Sequence, residues 1–582
     1  MIRLDGIDWL IIGAYLLFAL CIGFLISGKA QTSRRSFFIA DGSMPWWLTG
    51  VSIAATTFAA DTPLAVTGIV ANRGLSGNWI WLSWMGVHAL VVVFFARAWR
   101  RTEVITDAEY VTLRYSGKWA ERLRMFRSLL YGVLYNCIIM GWVLRAMGKI
   151  VEPYVDWEHW LPPVYNWVAG FWPQGLALGN ASEGMTIIFL LTLVVLYSSL
   201  GGIRGVIITD LVQFMFAMLG SIWLAVVVWN AAGGGQQIAH QLAELYGPHH
   251  EYLDLFPDKH GSWMGILGGS AFLFGFYILI QSFANVPADG GGYLMQRLNT
   301  TRDEKSAQKS AILFLVLQYL VRIWPWLVVS VAALVLIPIG MESTVLGGKA
   351  ASVAADREAA YPVLIAVYLP NGVLGLMIVS MMSAFMSTID THLNWGSSYL
   401  VNDIALKFFP KMSTKGQIWV ARASVIGFAV LAIWVCVNID TIEQAWKWVA
   451  FIGASLGLPT MLRWLWWRVT ALSEILAAAG GLLVAWVVNQ FTSLPYEMCL
   501  IYCFLGSATG FVIGIIFSPE RLRPEELREY MERAKPPGFW PGKSRLQGTK
   551  DLLKIAAGAS LVVGVTILLL KLGLVMFFGR VN

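Results

Sequence analysis

Long apolar runs separated by short polar segments repeat along the whole chain. Many runs reach about 20 residues, the length that an α-helix needs to cross a bilayer core about 30 Å thick. Because no water satisfies the backbone inside hydrocarbon, each run must be helical. The pattern predicts fourteen transmembrane spans, at residues 7–27, 46–71, 77–98, 125–151, 183–200, 205–230, 263–285, 310–338, 371–404, 416–438, 442–467, 470–492, 497–518 and 552–578. We therefore expect an all-α integral membrane protein.

The segments between the spans alternate in charge. Lys and Arg cluster after spans one, three, seven, nine, eleven and thirteen, whereas the opposite segments are acidic or neutral. By the positive-inside rule the basic side is cytoplasmic. With fourteen spans, both termini then face outward, in an inner or plasma membrane.

Three connecting segments are long. Residues 152–182 are rich in Trp and Pro and predict an interfacial helix on the outer side. Residues 231–262 contain several His and are expected to be a solvated loop rather than a metal site. Residues 519–549 predict a short charged cytoplasmic helix followed by a Pro-rich linker.

Composition narrows the class of protein. Hydrophobic residues make up 57% of the 582 residues and charged residues only 13%, too few for the surface of a soluble protein. The net charge of +7 resides in the loops and does not indicate a nucleic-acid partner. The five cysteines fall in apolar segments without zinc or haem spacing, and no nucleophile constellation is present, so neither a cofactor nor an enzyme is expected.

Span two has an unusual polar pattern. Small and hydroxylated residues fill Gly50–Gly68 and are interrupted by Asp61 and Pro63. Small residues permit close helix packing, and Pro63 frees a carbonyl about one turn earlier. Free carbonyls at mid-membrane coordinate sodium in discontinuous helices. The alternative is a helix that is only kinked.

Spans six and nine contain further candidate ligands for a cation. Ser387 and Thr388 supply hydroxyl oxygens, and Ala384 offers a carbonyl one turn earlier. Such hydroxyls otherwise bond back to their own helix. Asp210 lies near the cytoplasmic end of span six, where pairing with Arg204 is the structural alternative.

Five short motifs occur in the order typical of one transporter family. They are Arg35-Ser-Phe-Phe with a following Pro-Trp-Trp, Leu200-Gly-Gly-x-Arg-Gly-Val with Thr209-Asp210-x-x-Gln213, Gln296-Arg297, Ala384-x-x-Ser387-Thr388 and Asn402-Asp403-Ile. Over residues 5–520 the chain therefore resembles the sodium:solute symporter family, which includes sodium/glucose, sodium/proline and sodium/sialic acid transporters.

The resemblance implies the LeuT-type fold of two inverted five-helix repeats. It places an extra helix and loop at 1–45, the repeats at 46–232 and 263–468, and extra helices with the 519–549 linker at 469–582. It also implies sodium-coupled symport of a small organic solute by alternating access, with sodium as the coupling ion and no other cofactor.

The resemblance also implies which residues bind sodium. The ligands would be the carbonyls of Ala55, Phe58 and Ala384 and the hydroxyls of Ser387 and Thr388. Asp210 would lie on the path by which sodium leaves toward the cytoplasm.

Two departures from the family bear on the solute. Gly291-Gly292-Tyr293 stands where sugar transporters have an Asn-Gln-aromatic run. Thr57 stands where sugar transporters have another polar residue and proline transporters have Asp. The first departure argues against sugar, and the second argues against both sugar and proline.

Polar residues within or beside the spans are the candidates for solute binding, because charge at membrane depth is costly unless it is used. Arg322 and Arg145 favour an anionic solute, whereas Asp61 and Asp390 leave open a proton-coupled transporter. A sensor or channel with a transporter-like core is the other alternative. The full candidate set is Thr57, Asp61, Thr62, Arg145, Gln281, Arg322 and Asp390.

Overall fold

The computed structural model describes residues 4–30, 33–172, 181–257, 271–284, 287–346, 350–439, 441–518 and 524–579. Within these residues the chain is helical and forms no β-sheet, which confirms the predicted all-α class. The longer helices are Gly6–Ala30, Trp46–Thr56, Asp61–Arg73, Leu75–Leu82, Met85–Thr102, Gly117–Val151, Ala181–Ala231, Glu304–Leu336, Val373–Phe408, Thr414–Cys436, Ile442–Leu465, Ala471–Phe491, Tyr496–Phe517 and Arg545–Phe578. Shorter helices include Arg34–Ile39, Asp107–Arg114, Trp157–Trp160, Pro162–Phe171, Gly235–Tyr246, Ala271–Ser282, Gly292–Leu298, Ala360–Tyr368 and Pro524–Ala534.

A described helix overlaps each predicted span, although residues 263–270 of span seven lie outside the described part, and the count stays open. Nine are long and apolar enough to cross a membrane, or up to eleven if each bent pair is one span. Three shorter apolar helices, Gly6–Ile22, Ala181–Leu196 and Phe272–Ser282, coincide with predicted spans one, five and seven. The total of fourteen, and the division into repeats, stay predictions.

Two predicted spans are broken. Trp46–Thr56 and Asp61–Arg73, the first and second half-helices, are bent by 54°, and Leu75–Leu82 and Met85–Thr102 by 44°. The first break lies at residues 57–60, about one turn before Pro63, which stands in the first turn of the second half-helix, where no donor is required. Span two is therefore two helices and not one kinked helix.

Gly202 separates predicted spans five and six. Its backbone has φ 53° and ψ −168° inside the segment Ala181–Ala231. Glycine adopts such a conformation without the steric cost that a Cβ would impose. The helix direction therefore changes between the two predicted spans.

Four helices contain π-helical turns. These turns are Val91–Phe95, Leu130–Tyr135, Leu317–Val321 and Leu400–Ala405. A π turn inserts an extra residue and redirects the side chains after it, and it is frequent at functional sites. The third turn directly precedes Arg322, whose amide donates to the Leu317 carbonyl five residues earlier.

Burial distinguishes inner helices from outer ones. In Val373–Phe408, 89% of the most apolar window is buried, whereas in Arg545–Phe578 only 28% is. The outer helices expose large apolar side chains, for example those of Trp419, Phe517 and Met576. Such surfaces suit lipid contact, while the inner helices surround the polar residues discussed below.

One of the three long connecting segments is more helical than expected. The segment predicted to contain an interfacial helix contains Trp157–Trp160 and Pro162–Phe171, and residues 173–180 lie outside the described part. The expected loop after span six is wrong over Gly235–Tyr246, an amphipathic helix that buries Ile238 and Leu242, and residues 258–262 of that segment lie outside the described part. Of the predicted 519–549 segment, residues 519–523 lie outside the described part. The last helix already begins at Arg545, because its polar first turns extend beyond the apolar run.

Candidate solute and ion site

A cavity lies beside the break between the two half-helices. The centres of water-sized molecules have about 90 Å³ available in it. Since one water needs roughly 10–15 Å³ on this measure, there is room for several waters or one compact solute. The lining residues are Thr56, Thr57, Ala59, Asp61, Thr62, Trp81, Trp84, His88, Tyr135, Ile139, Trp142, Ala284, Tyr293, Gln318, Arg322, Thr388, His392, Trp446 and Val449.

Arg322 enters the cavity from the helix that follows the third π turn. Its Nη1 donates to the Ala54 carbonyl and to the Thr57 hydroxyl, both at 2.9 Å. The guanidinium carbon lies 5.3 Å from the centre of the Trp326 ring. The residue is 2% exposed, and its buried Nε has no hydrogen-bond partner. Among the described residues, Arg322 forms no ion pair. Its charge is compensated only in part, by neutral dipoles and by the more distant charge of Asp61.

Asp61 is the first residue of the second half-helix. It is also 2% exposed. Its Oδ2 accepts a hydrogen bond of 3.1 Å from the Trp446 indole, and its buried Oδ1 has no partner. No ion pair of Asp61 is found within the described part of the chain. The cavity thus contains a carboxylate and a guanidinium that attract each other electrostatically but form no salt bridge.

Aromatic and polar side chains form the remaining walls. The rings of Trp84 and Trp446 lie 6.1 Å apart at an interplanar angle of 51°. The Thr57 hydroxyl also contacts the Gln318 amide oxygen at 3.0 Å. His392 is held by Asn136, whose amide oxygen lies 2.6 Å from the imidazole Nδ1. These contacts fix the polar groups of the wall before any ligand enters.

The expected sodium residues lie together where the first half-helix ends. The Thr388 hydroxyl donates to the Thr56 carbonyl at 3.0 Å and to the Ala384 carbonyl at 3.1 Å. The Phe58 amide donates to the Ala55 carbonyl at 2.9 Å. Thr388 therefore joins the helix Val373–Phe408 to the broken span, while its role as a sodium ligand stays a prediction.

Ser387 and Asp210 face each other near this junction. The Ser387 hydroxyl is buried beside the Asp210 carboxylate without a well-formed hydrogen bond. Asp210 Oδ2 accepts from the Ser52 hydroxyl at 2.5 Å and from Arg297 at 3.3 Å. Both charged residues are fully buried. The structural alternative of an Asp210–Arg204 pair is wrong, since Arg204 instead contacts Asp41 at 3.5 Å.

Three candidates from the sequence lie away from the cavity lining. Arg145 pairs with Glu183 at 3.2 Å. Gln281 donates to the Ile80 carbonyl at 2.7 Å and accepts from the Tyr496 hydroxyl at 2.8 Å. Asp390 is fully buried and lies 3.5 Å from the Thr391 hydroxyl. By contrast, Thr57, Asp61, Thr62 and Arg322 all line the cavity.

The tryptophans of the cavity were not singled out from the sequence. Trp81 and Trp84 lie in predicted span three, Trp142 in span four and Trp446 in span eleven. Membrane tryptophans usually lie at the interfaces, and Trp81 and Trp446 stand near the start of their spans. Only Trp142 therefore offered a signal, and nothing in the spacing shows that the four meet.

A second buried cluster of charges was also missed. Arg127 pairs with Asp107 at 2.9 Å and with Glu474 at 3.2 Å. Arg463 pairs with Asp289 at 2.5 Å and lies 3.9 Å from Glu474. All five side chains are fully buried at helix ends predicted to be cytoplasmic. They join segments that are distant in sequence at that end of the molecule.

Comparison with protein families gives one match over most of the chain. The family described as "Sodium:solute symporter family" matches residues 37–158 and 177–474. These ranges contain the cavity lining, the expected sodium residues and the Asp210–Arg297 pair.

Individual relatives are distant but extend over most of the chain. The sodium/glucose cotransporter of Vibrio parahaemolyticus is 22% identical, covering 86% of this chain and 89% of the relative. The osmoregulated proline transporter of Bacillus subtilis is 23% identical, covering 88% and 94%. A solved sodium-coupled sialic acid symporter in a substrate-bound outward-open state has a TM-score of 0.69 at 18% identity, covering 89% and 99%. That likeness shows the expected LeuT-type fold.

Proposed function

Because the chain belongs to the sodium:solute symporter family, we propose that it moves a small organic solute across a membrane together with sodium by alternating access. It is a multi-pass membrane transporter and not an enzyme. Relatives over most of its length are named as sodium/glucose and proline transporters. The identity of the solute and the roles of individual residues are the parts that we propose.

The observation that carries the sodium site is the contact across the helix break. The first half-helix ends with its carbonyls directed at the break, and the Thr388 hydroxyl lies 3.0 Å from one of them. A helix C-terminus carries partial negative charge, which favours a cation. Sodium prefers hard oxygen ligands. The Thr388 hydroxyl would supply one, and the others would be the Ser387 hydroxyl and the carbonyls of Ala55, Phe58 and Ala384.

Sodium at this position would couple to the solute through the break itself. The same residues 57–60 that separate the half-helices contribute Thr57 and Ala59 to the cavity wall. An ion that holds the break in one geometry therefore prepares the solute site beside it. Because each ligand then favours the same conformation, binding of one strengthens binding of the other.

Release of sodium would involve Asp210. Its carboxylate is engaged by Ser52 and Arg297 and lies beside the Ser387 hydroxyl. A departing ion could replace the guanidinium as partner of Asp210 for a short time. Because the loops near this end of span six are basic, we propose that the exit opens on the cytoplasmic side. Both termini then lie outside, and a protease or label applied to intact cells should reach tags at either end.

The test is sodium binding by the purified transporter. Ser387→Ala removes one expected ligand with little change in volume, and sodium should then stabilise the protein only at higher concentration. Ser380→Ala is the matched control, because Ser380 lies two turns earlier on the same helix and donates to the Ala217 carbonyl at 2.9 Å. Equal sodium dependence in both variants and the wild type would contradict the proposed site.

A further inference from the structure

The charges in the cavity indicate the chemical class of the solute. Building on the sodium-coupled transport proposed above, we infer that the solute is a small zwitterion whose carboxylate meets Arg322 and whose ammonium group meets Asp61. Both residues line the same cavity, and each is 2% exposed. Neither forms an ion pair among the described residues.

Arg322 provides the anion-binding half of this site. Two of its hydrogen bonds go to neutral oxygens, those of Ala54 and Thr57, while its Nε is buried without a partner. A guanidinium removed from water without a counter-charge is costly. Its planar set of donors matches a carboxylate in a two-pronged geometry. A carboxylate on the solute would therefore accept hydrogen bonds from Arg322 where the protein provides no acceptor.

Asp61 provides the cation-binding half. Its Oδ2 receives the Trp446 indole proton, but its Oδ1 is buried with no donor near enough. Trp84 lies beside Trp446 with ring centres 6.1 Å apart, and both rings line the cavity with Asp61. Aromatic faces attract ammonium and quaternary ammonium groups, most strongly when water is excluded. An ammonium group here gains a carboxylate partner and aromatic contact together.

Only a solute with both charges compensates both residues. A neutral polyol offers hydroxyls but adds no counter-charge in direct contact with Arg322 or Asp61, which attract each other without forming a salt bridge. A simple anion would pair with Arg322 but adds a like charge to the cavity that contains Asp61. A simple cation would pair with Asp61 but adds a like charge to the cavity that contains Arg322. The sequence predicted an anionic solute from its arginines alone. Because the cavity also contains Asp61, we infer a zwitterion instead.

The experiment uses the purified full-length transporter in sodium buffer and a panel of matched compounds. Each set contains an amino acid or an N-methylated betaine, its amide, and its des-amino acid; glucose and myo-inositol serve as neutral probes. Binding is followed by thermal stabilisation and by quenching of tryptophan fluorescence, since four tryptophans line the cavity. At least one zwitterion should bind roughly tenfold or more tightly than its own singly charged analogues, a difference of about 1.4 kcal/mol.

Two variants test which residue binds which charged group of the solute. Asp61→Asn should remove the preference for the zwitterion over its des-amino acid but keep the preference over the amide. Arg322→Gln should do the opposite. Arg145→Gln is the matched control: it removes a guanidinium that pairs with Glu183 outside the cavity, so it should leave both preferences unchanged even if it lowers the melting temperature.

The outcomes separate this inference from sodium coupling. A neutral or singly charged compound that binds more tightly than every zwitterion, or no zwitterion binding at millimolar concentration, would overturn the inference. So would Asp61→Asn and Arg322→Gln variants that keep the wild-type preferences. Zwitterion selectivity that is identical in sodium and potassium buffers would support the inference and contradict the proposed sodium coupling.

Discussion

The Asp210–Arg297 pair allows a structural role to be separated from a transport role. The two side chains are fully buried, 3.3 Å apart, and share the Ser52 hydroxyl, which lies 2.8 Å from Arg297 Nε. Asp210→Asn leaves a buried guanidinium without its counter-charge, and Arg297→Met leaves a buried carboxylate alone. Each single change should cost about 3–5 kcal/mol of stability.

The double variant should recover much of that stability. With both charges removed, neither partner is left uncompensated, so the loss should be smaller than the sum of the single losses by about 0.5–3 kcal/mol. Transport should not recover in parallel, because the departing sodium still lacks the Asp210 carboxylate. We expect turnover of both Asp210→Asn variants to stay about tenfold or more below wild type, a difference of about 1.4 kcal/mol in the barrier.

The assay compares melting temperature with initial uptake rate in proteoliposomes for the wild type, both single variants and the double variant. Solute affinity is measured in parallel, and it should change less than the rate. If the double variant regains wild-type transport together with stability, Asp210 serves only as the partner of Arg297. Wild-type stability of both single variants would refute the ion-pair reasoning itself.

Other changes test separate parts of the molecule. Thr388→Val keeps the side-chain volume but removes an oxygen from the expected sodium site, so the sodium concentration for half-maximal uptake should rise about tenfold, the effect of losing about 1.4 kcal/mol; an unchanged value would count against the site. Glu474→Gln weakens the fully buried charge cluster and should lower the melting temperature clearly, whereas Glu532→Gln in an exposed pair should cost at most about 1 kcal/mol and leave it nearly unchanged. Asp390→Asn should keep the preference for zwitterions, because Asp390 lies outside the cavity lining; a changed preference in the binding panel would show a direct role.

Hydropathy predicted the helices because it depends on residues near each other in sequence, whereas the ion site stays a prediction. The break in span two follows from small residues and Pro63, and the hydroxyl pair Ser387–Thr388 lies within one helical turn. The family motifs placed Thr388 near the break in span two, but its hydrogen bond to the Thr56 carbonyl was not predicted. The helices and the break were predictable because local chemistry specifies them.

Partners distant in sequence could not be derived in the same way. Arg145 and Arg322 look alike in the sequence, yet Arg145 meets Glu183 whereas Arg322 has no carboxylate partner in the described part of the chain. The difference depends on how the helices pack, and the π turn at Leu317–Val321 helps to set the direction of Arg322. No hydropathy pattern reveals a single inserted residue within a continuous apolar helix.

The most direct test of sodium-coupled symport is accumulation by sealed proteoliposomes containing the purified transporter. The solute is the compound of the binding panel with the highest affinity, and pH is equal on both sides with the membrane potential held at zero. An inward sodium gradient should concentrate the solute inside above its external level, and replacing sodium by potassium or adding a sodium ionophore should abolish this. Equal uptake in potassium, or accumulation that needs an inward proton gradient instead, would contradict sodium coupling.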